Sequence, residues 1–507
     1  VQSDAGTLNI NGGITGAFPL TVEGAGNTII NGIVGTAAGT IIKNDAGTLS
    51  LNNANTYTGA TTINAGTVTV TNATGLGTTA GATTVTATGA ALNINGVSVA
   101  ENLTLNGTGV ATTGALAGTG TSAVTGTVAL ATNSSIGAAS VTDILTLGGI
   151  VSGTGTNLTK VGAGTVILSA ANTYTGTTTI SAGTLQVGAG STTGTISTTG
   201  TITNNGVLAI NRIDDYAVNA AQTITGTGSV QQNGSGTTTL TAAGNNYTGA
   251  TLVSNGELRA TLNGTSSVTV GESGGTLANA ATLAATGTVN GSASIGSLNS
   301  VGILAPGATP AAIGTLTLTS SGTALTVASG SQIKMGITTA TVAADAGILG
   351  ALTAASYVSA SDYITNTTPA WAATSGVTPG NHDYLNLTTG SISLGTRSSG
   401  TLGSGTVSIT SLGGYTGVQG DVFNLLDWQS VTMSGTFTGI NGGNFFTNGG
   451  VWGDLDLPTL ASQLFWDTSA FASHGVLVVV PEPSRMLLLM VGLLGLFFRR
   501  RRRIGSL

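Results

Sequence analysis

From Ile41 to Val70 the chain reads IIKNDAGTLSLNNANTYTGATTINAGTVTV, where short runs place an aliphatic at every second position with Thr or Ser between. TLSL, TTI and TVTV therefore have one apolar and one polar face, the pattern of half-buried strands. Gly and Asn fill the breaks, where turns and positive φ are common. The pattern returns as LTKVGAGTVILSAANTYTGTTTISAGTLQV at 158–187, an offset of 117 residues, with Lys43 on Lys160, Gly47 on Gly164, Tyr57 on Tyr174 and Gly66 on Gly183. A looser copy, GSGTTTLTAAGNNYTGATLVSNGELRA at 234–260, keeps Tyr247 and Gly256 and has one residue inserted before Asn246.

A unit with one apolar face cannot bury it alone, but stacking successive turns makes one continuous core. The pattern predicts an all-β fold: a right-handed parallel β-helix, or β-solenoid, with aliphatics inward and Thr and Ser outward. Consecutive similar turns would let Asn and Thr stack as hydrogen-bonded ladders. Tyr57, Tyr174 and Tyr247 are expected to cover the solenoid at equivalent corners.

Composition agrees. Only 6% of the 507 residues are charged, against roughly 25% in ordinary soluble domains. Thr and Val favour strands, and the 81 Gly with only 8 Pro fit turns rather than collagen or a Pro-rich linker. Six of the 12 cations lie after residue 480, which leaves the body six cations against seventeen acids. With no Lys/Arg cluster in the body, nucleic acid is excluded as an expected partner. The chain has no Cys, so disulfides and thiolate chemistry are absent. It begins at Val1 inside a strand-like pattern, and we read it as a fragment whose start, with any signal peptide, lies upstream.

Composition shifts near residue 350. All four Trp (Trp371, Trp428, Trp452, Trp466), four of eight Tyr and six of nine Phe fall within 351–480. Runs such as GDVFNLLDW and GVLVVV still read as strands, so an aromatic-rich β cap is expected to close the core. An aromatic sugar-binding surface is the sharper alternative. The boundaries follow: solenoid 1–345, cap 346–479, tail 480–503.

The tail is Pro481-Glu482-Pro483, then thirteen apolar residues from Met486 to Phe498, then Arg499, Arg500, Arg501, Arg502 and Arg503. As a helix the apolar run is about 20 Å long, a marginal membrane span. The arginines supply a positive-inside stop with side chains long enough to snorkel. The prolines bar upstream extension of the helix and hold Glu482 extended, as a protease requires.

Two resemblances follow from these residues. The NTYTG-containing copies resemble the autotransporter-associated β-strand repeat of large exported bacterial β-helix proteins. LTVEGAGNTIING (20–32), NRIDDYAVNAAQTITGTGSV (211–230) and GILAPGATPAAIGTLTLTSSGTALTVASGS (302–331) look like further parts of that family's pattern. Its members finish with a translocator barrel of roughly 10-residue alternating strands, a pattern not read here after the repeats. The motif, apolar helix and Arg cluster, in that order, resemble the PEP-CTERM sorting signal. That resemblance implies a Gram-negative exported protein, held transiently in the inner membrane, cut by an exosortase-like membrane protease and released to the surface or extracellular matrix.

Catalytic constellations are sparse. β-Helix lyases and hydrolases need clustered carboxylates, or carboxylates with Arg or Lys. Asp214 and Asp215 are adjacent and would face opposite ways in a strand; Arg212 could pair with one of them, and a solvated turn is expected. Asp454 and Asp456, near Asp467, form the best acidic cluster, expected in a capping loop. His382 and His474 are the only histidines, with no second His or Cys nearby for a metal. No catalytic residue, cofactor or metal is assigned. The expected role is a non-enzymatic surface, matrix or adhesin-like protein presenting a neutral Thr/Asn face to extracellular polysaccharide or neighbouring cells. The alternatives are a polysaccharide-active β-helix enzyme or, from arrays such as TVTVT (67–71) and TLTLT (315–319), an ice-binding protein.

Overall fold

The computed structural model describes residues 1–337 apart from 111–112, 198, 220, 241, 274–278, 297–299, 310–311, 313 and 329–330. Beyond 337 it describes 384–394, 407–411, 422–424, 426–427, 432–434, 440–441, 455–457, 460–461, 464–467 and 476–481. Among the described residues, strand is the only regular structure longer than a turn, and the fold is a parallel β-solenoid. The chain divides into two compact units, Val1–Thr269 and Val270–Leu507.

In the first unit each strand pairs in parallel with the strands one coil before and after it. One interior column runs Val22, Lys43, Ile63, Val85, Leu105. A second runs Leu49, Val68, Leu92, Leu116, Ile136, Lys160, Ile180, Asn204. A third runs Val99, Val124, Leu147, Leu168, Val187, Ile210, Gln232, Val253. Alternation drives this arrangement. In Gly66–Val70, Gly66, Val68 and Val70 are buried while Thr67 and Thr69 are partly exposed. Slipping one residue would reverse every inward side chain, so the aliphatics fix the register.

Glycine sets how closely the coils stack. At Gly59 an added Cβ would lie 2.4 Å from the Gly39 carbonyl oxygen, and at Gly81 2.2 Å from that of Gly59. No side chain fits that approach. Gly66, Gly183 and Gly256 share a second requirement, with φ of +68°, +62° and +61°, the left-handed region that glycine enters without penalty.

One expectation about the interior needs correcting. Thr is not uniformly outward: Thr61, Thr178 and Thr251 lead their TTI or TLV strands and are buried. The strand period places residue one with residue three, so inward Ile63 brings Thr61 with it.

In the second unit Ala281–Ile295 pairs in parallel with Ser300–Pro306 and Thr315–Val327. Thr315–Val327 then pairs in parallel with Tyr384–Leu394, and Gln332–Ile337 with Val407–Ser411. A three-stranded antiparallel sheet has Val476–Pro481 at its centre, between Val422–Asn424 and Leu464–Asp467. Trp466 and Leu477 are buried there.

Candidate functional site

The repeat copies build one corner three times. The Tyr57 hydroxyl shares a hydrogen bond with Thr61 Oγ1 at 2.7 Å, Tyr174 with Thr178 Oγ1 at 2.8 Å and Tyr247 with Thr251 Oγ1 at 2.7 Å. All three rings are buried rather than laid over the surface. The inward Thr gives each buried phenol a hydrogen-bonding side chain in the core. Burial drives the Tyr hydroxyls upward, Tyr247 to about 12. Two residues before each Tyr an Asn ties the preceding coil. Asn55 Oδ1 accepts from Val34 N (2.8 Å), Asn172 Oδ1 from Val151 N (2.8 Å) and Asn245 Oδ1 from Ile224 N (2.9 Å).

The repeat lysines are internal caps. Lys160 Nζ donates to the carbonyls of Val161 (3.0 Å), Gly162 (2.8 Å) and Ala182 (3.0 Å). Lys43 Nζ donates to the equivalent oxygens of Asn44, Asp45 (2.7 Å) and Ala65 (3.5 Å). Burial lowers both ammonium groups, Lys160 to about 8. In the third copy Gln232 stands in the lysine's place, and its amide donates to Gly234 O (2.7 Å) and Gly236 O (3.1 Å). Aligning the copies on Gly164 and Gly236 would have found this equivalence, because each lies four residues after the capping side chain.

The two aspartates lie in a solvent-facing bend, as expected: Ile213 and Asp215 are exposed and Asp214 partly so. Arg212 is buried and grips Asp214 through Nε (2.9 Å) and Nη2 (2.8 Å), donates to Thr192 O and Gly194 O, and lies 4.9 Å over the Tyr216 ring. The hydrogen bonds from Arg212 lower the Asp214 carboxyl. With five donors in a rigid fork, the guanidinium fastens the 192–194 loop to its neighbouring coil. Asp215 is exposed. The adjacent acids thus separate, and Arg212 is spent on the fold.

On the outside, Asn31 Nδ2 donates to Asn11 Oδ1 (2.9 Å), Asn52 Nδ2 to Asn31 Oδ1 (2.9 Å) and Thr71 Oγ1 to Asn52 Oδ1 (3.1 Å). A second ladder joins Glu23, Asn44, Asn64 and Thr86. The expected polar ladders are therefore present. In register beside the first lie Thr48 and Ser50, Thr67 and Thr69, Ala91 and Asn93, a face without charge over these coils. The T-x-T of 67–71 does not continue as T-x-T in either neighbouring coil.

Pro481 ends the central antiparallel strand opposite Leu464. Glu482, Pro483, Met486–Phe498, Arg499 to Arg503, Asp454, His382 and His474 lie outside the described residues, as do the side chains of Asp456 and Asp467. Among the described residues, no helix is long and apolar enough to cross a membrane. Nor do three His, Cys, Asp or Glu side chains come together among them.

Comparison with known proteins bears on both the corners and the tail. Residues 41–70, 158–187 and 230–260 match the Passenger-associated-transport-repeat. Residues 479–503 match the PEP-CTERM protein-sorting motif. The chain carries autotransporter-associated repeats and a PEP-CTERM signal. The third repeat match begins at Val230 and so includes Gln232. The chain is also similar to the Adhesin BmaC autotransporter of Brucella suis biovar 1 (strain 1330), 31% identical over 191 residues. That alignment covers 36% of this chain and 5% of the adhesin.

Proposed function

We propose that this is an exported, non-enzymatic surface or matrix protein, adhesin-like in use, which presents a neutral polar wall to extracellular polysaccharide or to neighbouring cells. The observation that carries the reading is the pair of polar ladders, built mainly of Asn and Thr, on a coil stack that buries three of its cations. Lys43 and Lys160 cap carbonyls, and Arg212 clamps a loop. Similarity to an autotransporter adhesin supports the same reading. A wall of amides and hydroxyls suits neutral glycans, whose hydroxyls both donate and accept. For ice, the T-x-T array at 67–71 is one coil deep.

In this reading the coil is right-handed, the aromatic-rich region after residue 345 closes the core, and Met486–Phe498 forms a short helix held in the inner membrane by Arg499–Arg503. An exosortase-like protease cuts near Pro481-Glu482-Pro483 and releases the body. Replacing that motif with Ala-Ala-Ala in the native host should leave uncleaved chain in the inner membrane, because the substitution removes the extended Pro-Glu-Pro segment that the protease would grip. Fractionation and the size of the mature chain read the outcome. Arrival at the surface at wild-type size and rate would sink the sorting reading. Separately, release of unsaturated or reducing ends from pectin, alginate or cellulose by the body would sink the non-enzymatic one.

A further inference from the structure

Glu101 is out of place. A column of glycines runs up one corner of the first unit, through Gly39, Gly59 and Gly81 below and Gly126 and Gly149 above. At each, an added Cβ would press on the carbonyl of the coil beneath, as at Gly126, where it would lie 2.0 Å from the Glu101 oxygen. Glu101 occupies the one intervening level. Its strand partner two residues on, Leu103, pairs with Thr83 and Val128.

The local alternation puts Val99, Glu101, Leu103 and Leu105 inside, with Ala100 and Asn102 exposed and Thr104 partly so. The carboxyl therefore stands where the pattern asks for an aliphatic. It is 3% exposed, and its Oε1 is out of solvent contact without a hydrogen-bond partner. Thr83 Oγ1, buried one coil below, likewise has none. Gly81–Val85 below, Gly126–Leu130 above and the rest of Ser98–Gly107 contain no ionisable residue. The ionisable group its charge reaches is the buried Tyr57 hydroxyl, and no Lys or Arg among the described residues offsets it.

We infer that Glu101 is a proton-operated latch: as a carboxylic acid it closes the coil Ser98–Gly107 against its neighbours, and its ionisation opens that coil. A neutral carboxyl costs little to bury, whereas an unpaired carboxylate in the core loses its hydration and gains nothing. Burial raises the group from 4.5 to about 7. The sign follows by linkage. The closed coil binds more protons than the open one between these values, so closure is complete below about 4.5 and weakens as pH rises through 7. Between pH 5 and 8 the opening constant should rise on the order of 70-fold.

Hydrogen exchange of the full chain, corrected for intrinsic rates, tests the latch in the peptide spanning 97–107, where Leu103 N donates to Thr127 O at 2.8 Å. The reference is the coil spanning 174–182, a remote repeat coil whose own corner is built on Gly176 over the Thr156 carbonyl. The expected result is a pH-dependent opening confined to 97–107 in the wild type and lost in Glu101→Gln, which keeps the shape without the charge. Equal pH dependence in the two wild-type peptides would overturn the latch, and this comparison needs no variant to fold. So would a Glu101→Gln chain that kept the wild-type slope.

Discussion

Lys160 is the position at which the repeat corner can be put to a quantitative test. Lys160→Met keeps the length of the side chain and removes its donors, leaving the carbonyls of Val161, Gly162 and Ala182 each one partner short. At about 1 kcal/mol for each deprived carbonyl, the loss is about 3 kcal/mol. Removing a buried charge returns part of this, for a net cost of about 2 kcal/mol. Lys160→Gln should cost about half as much, because Gln232 already holds two carbonyls at the equivalent corner with the same amide. The pH dependence separates the roles. Lys160 falls from 10.5 to about 8 on burial, so the unfolded chain binds more protons across that interval. The stability of the wild type relative to Lys160→Gln should therefore rise from pH 8 towards 10.5 and stay level below 8. Urea unfolding followed by far-UV circular dichroism, from pH 6 to 10, gives both quantities. If the Gln variant were as unstable as the Met variant, the capping account of Lys160 would be wrong. A relative stability that fell with pH would instead overturn the dominance of burial over the carbonyl contacts.

Two further outcomes are expected. Gly176→Ala should destabilise by about 2–4 kcal/mol, because its Cβ would lie 2.1 Å from Thr156 O, while Gly6→Ala, with open space but φ of +73°, should cost about 1 kcal/mol; equal midpoint shifts in urea would contradict the stacking explanation. Tyr174→Phe should cost about 1–2 kcal/mol by stranding Thr178 Oγ1 in the core, and Tyr174→Phe combined with Thr178→Val should recover part of that loss. An additive double mutant would show that the hydroxyls are not coupled.

The stack itself was legible because alternation has only one good reading. TLSL and TVTV commit their aliphatics to one side, and repeats too small to hold a core must pile up. The three tyrosines fell into equivalent places because N-x-Y-T-G specifies a corner by its Asn and Gly. What stayed hidden concerns side chains that violate the polarity code. Lys43 and Lys160 look like surface residues, yet each curls against carbonyls that turn chemistry leaves unpaired, a need that sequence alone does not display. Thr61, Thr178 and Thr251 were misread for the same reason: a hydroxyl counts as outward until its phenol partner is known. Arg212 and Asp214 were visible as a possible pair, but not as a clamp, since Thr192 and Gly194 reach the guanidinium only after the chain has completed a turn.

In the first unit, a strand has hydrogen-bonded partners chiefly one coil away, with Cα partners 19 residues apart from Leu168 to Val187 and 25 apart from Val99 to Val124. Such a stack carries load like thread on a spool. Tension applied along the chain from a free end works on one coil's ladder at a time instead of shearing many together. Each coil that comes away pays out about 65–90 Å of extended chain, and those beneath keep their own neighbours. A tether of this kind would lengthen in steps while its remaining coils stayed wound, yielding to a pull without failing all at once.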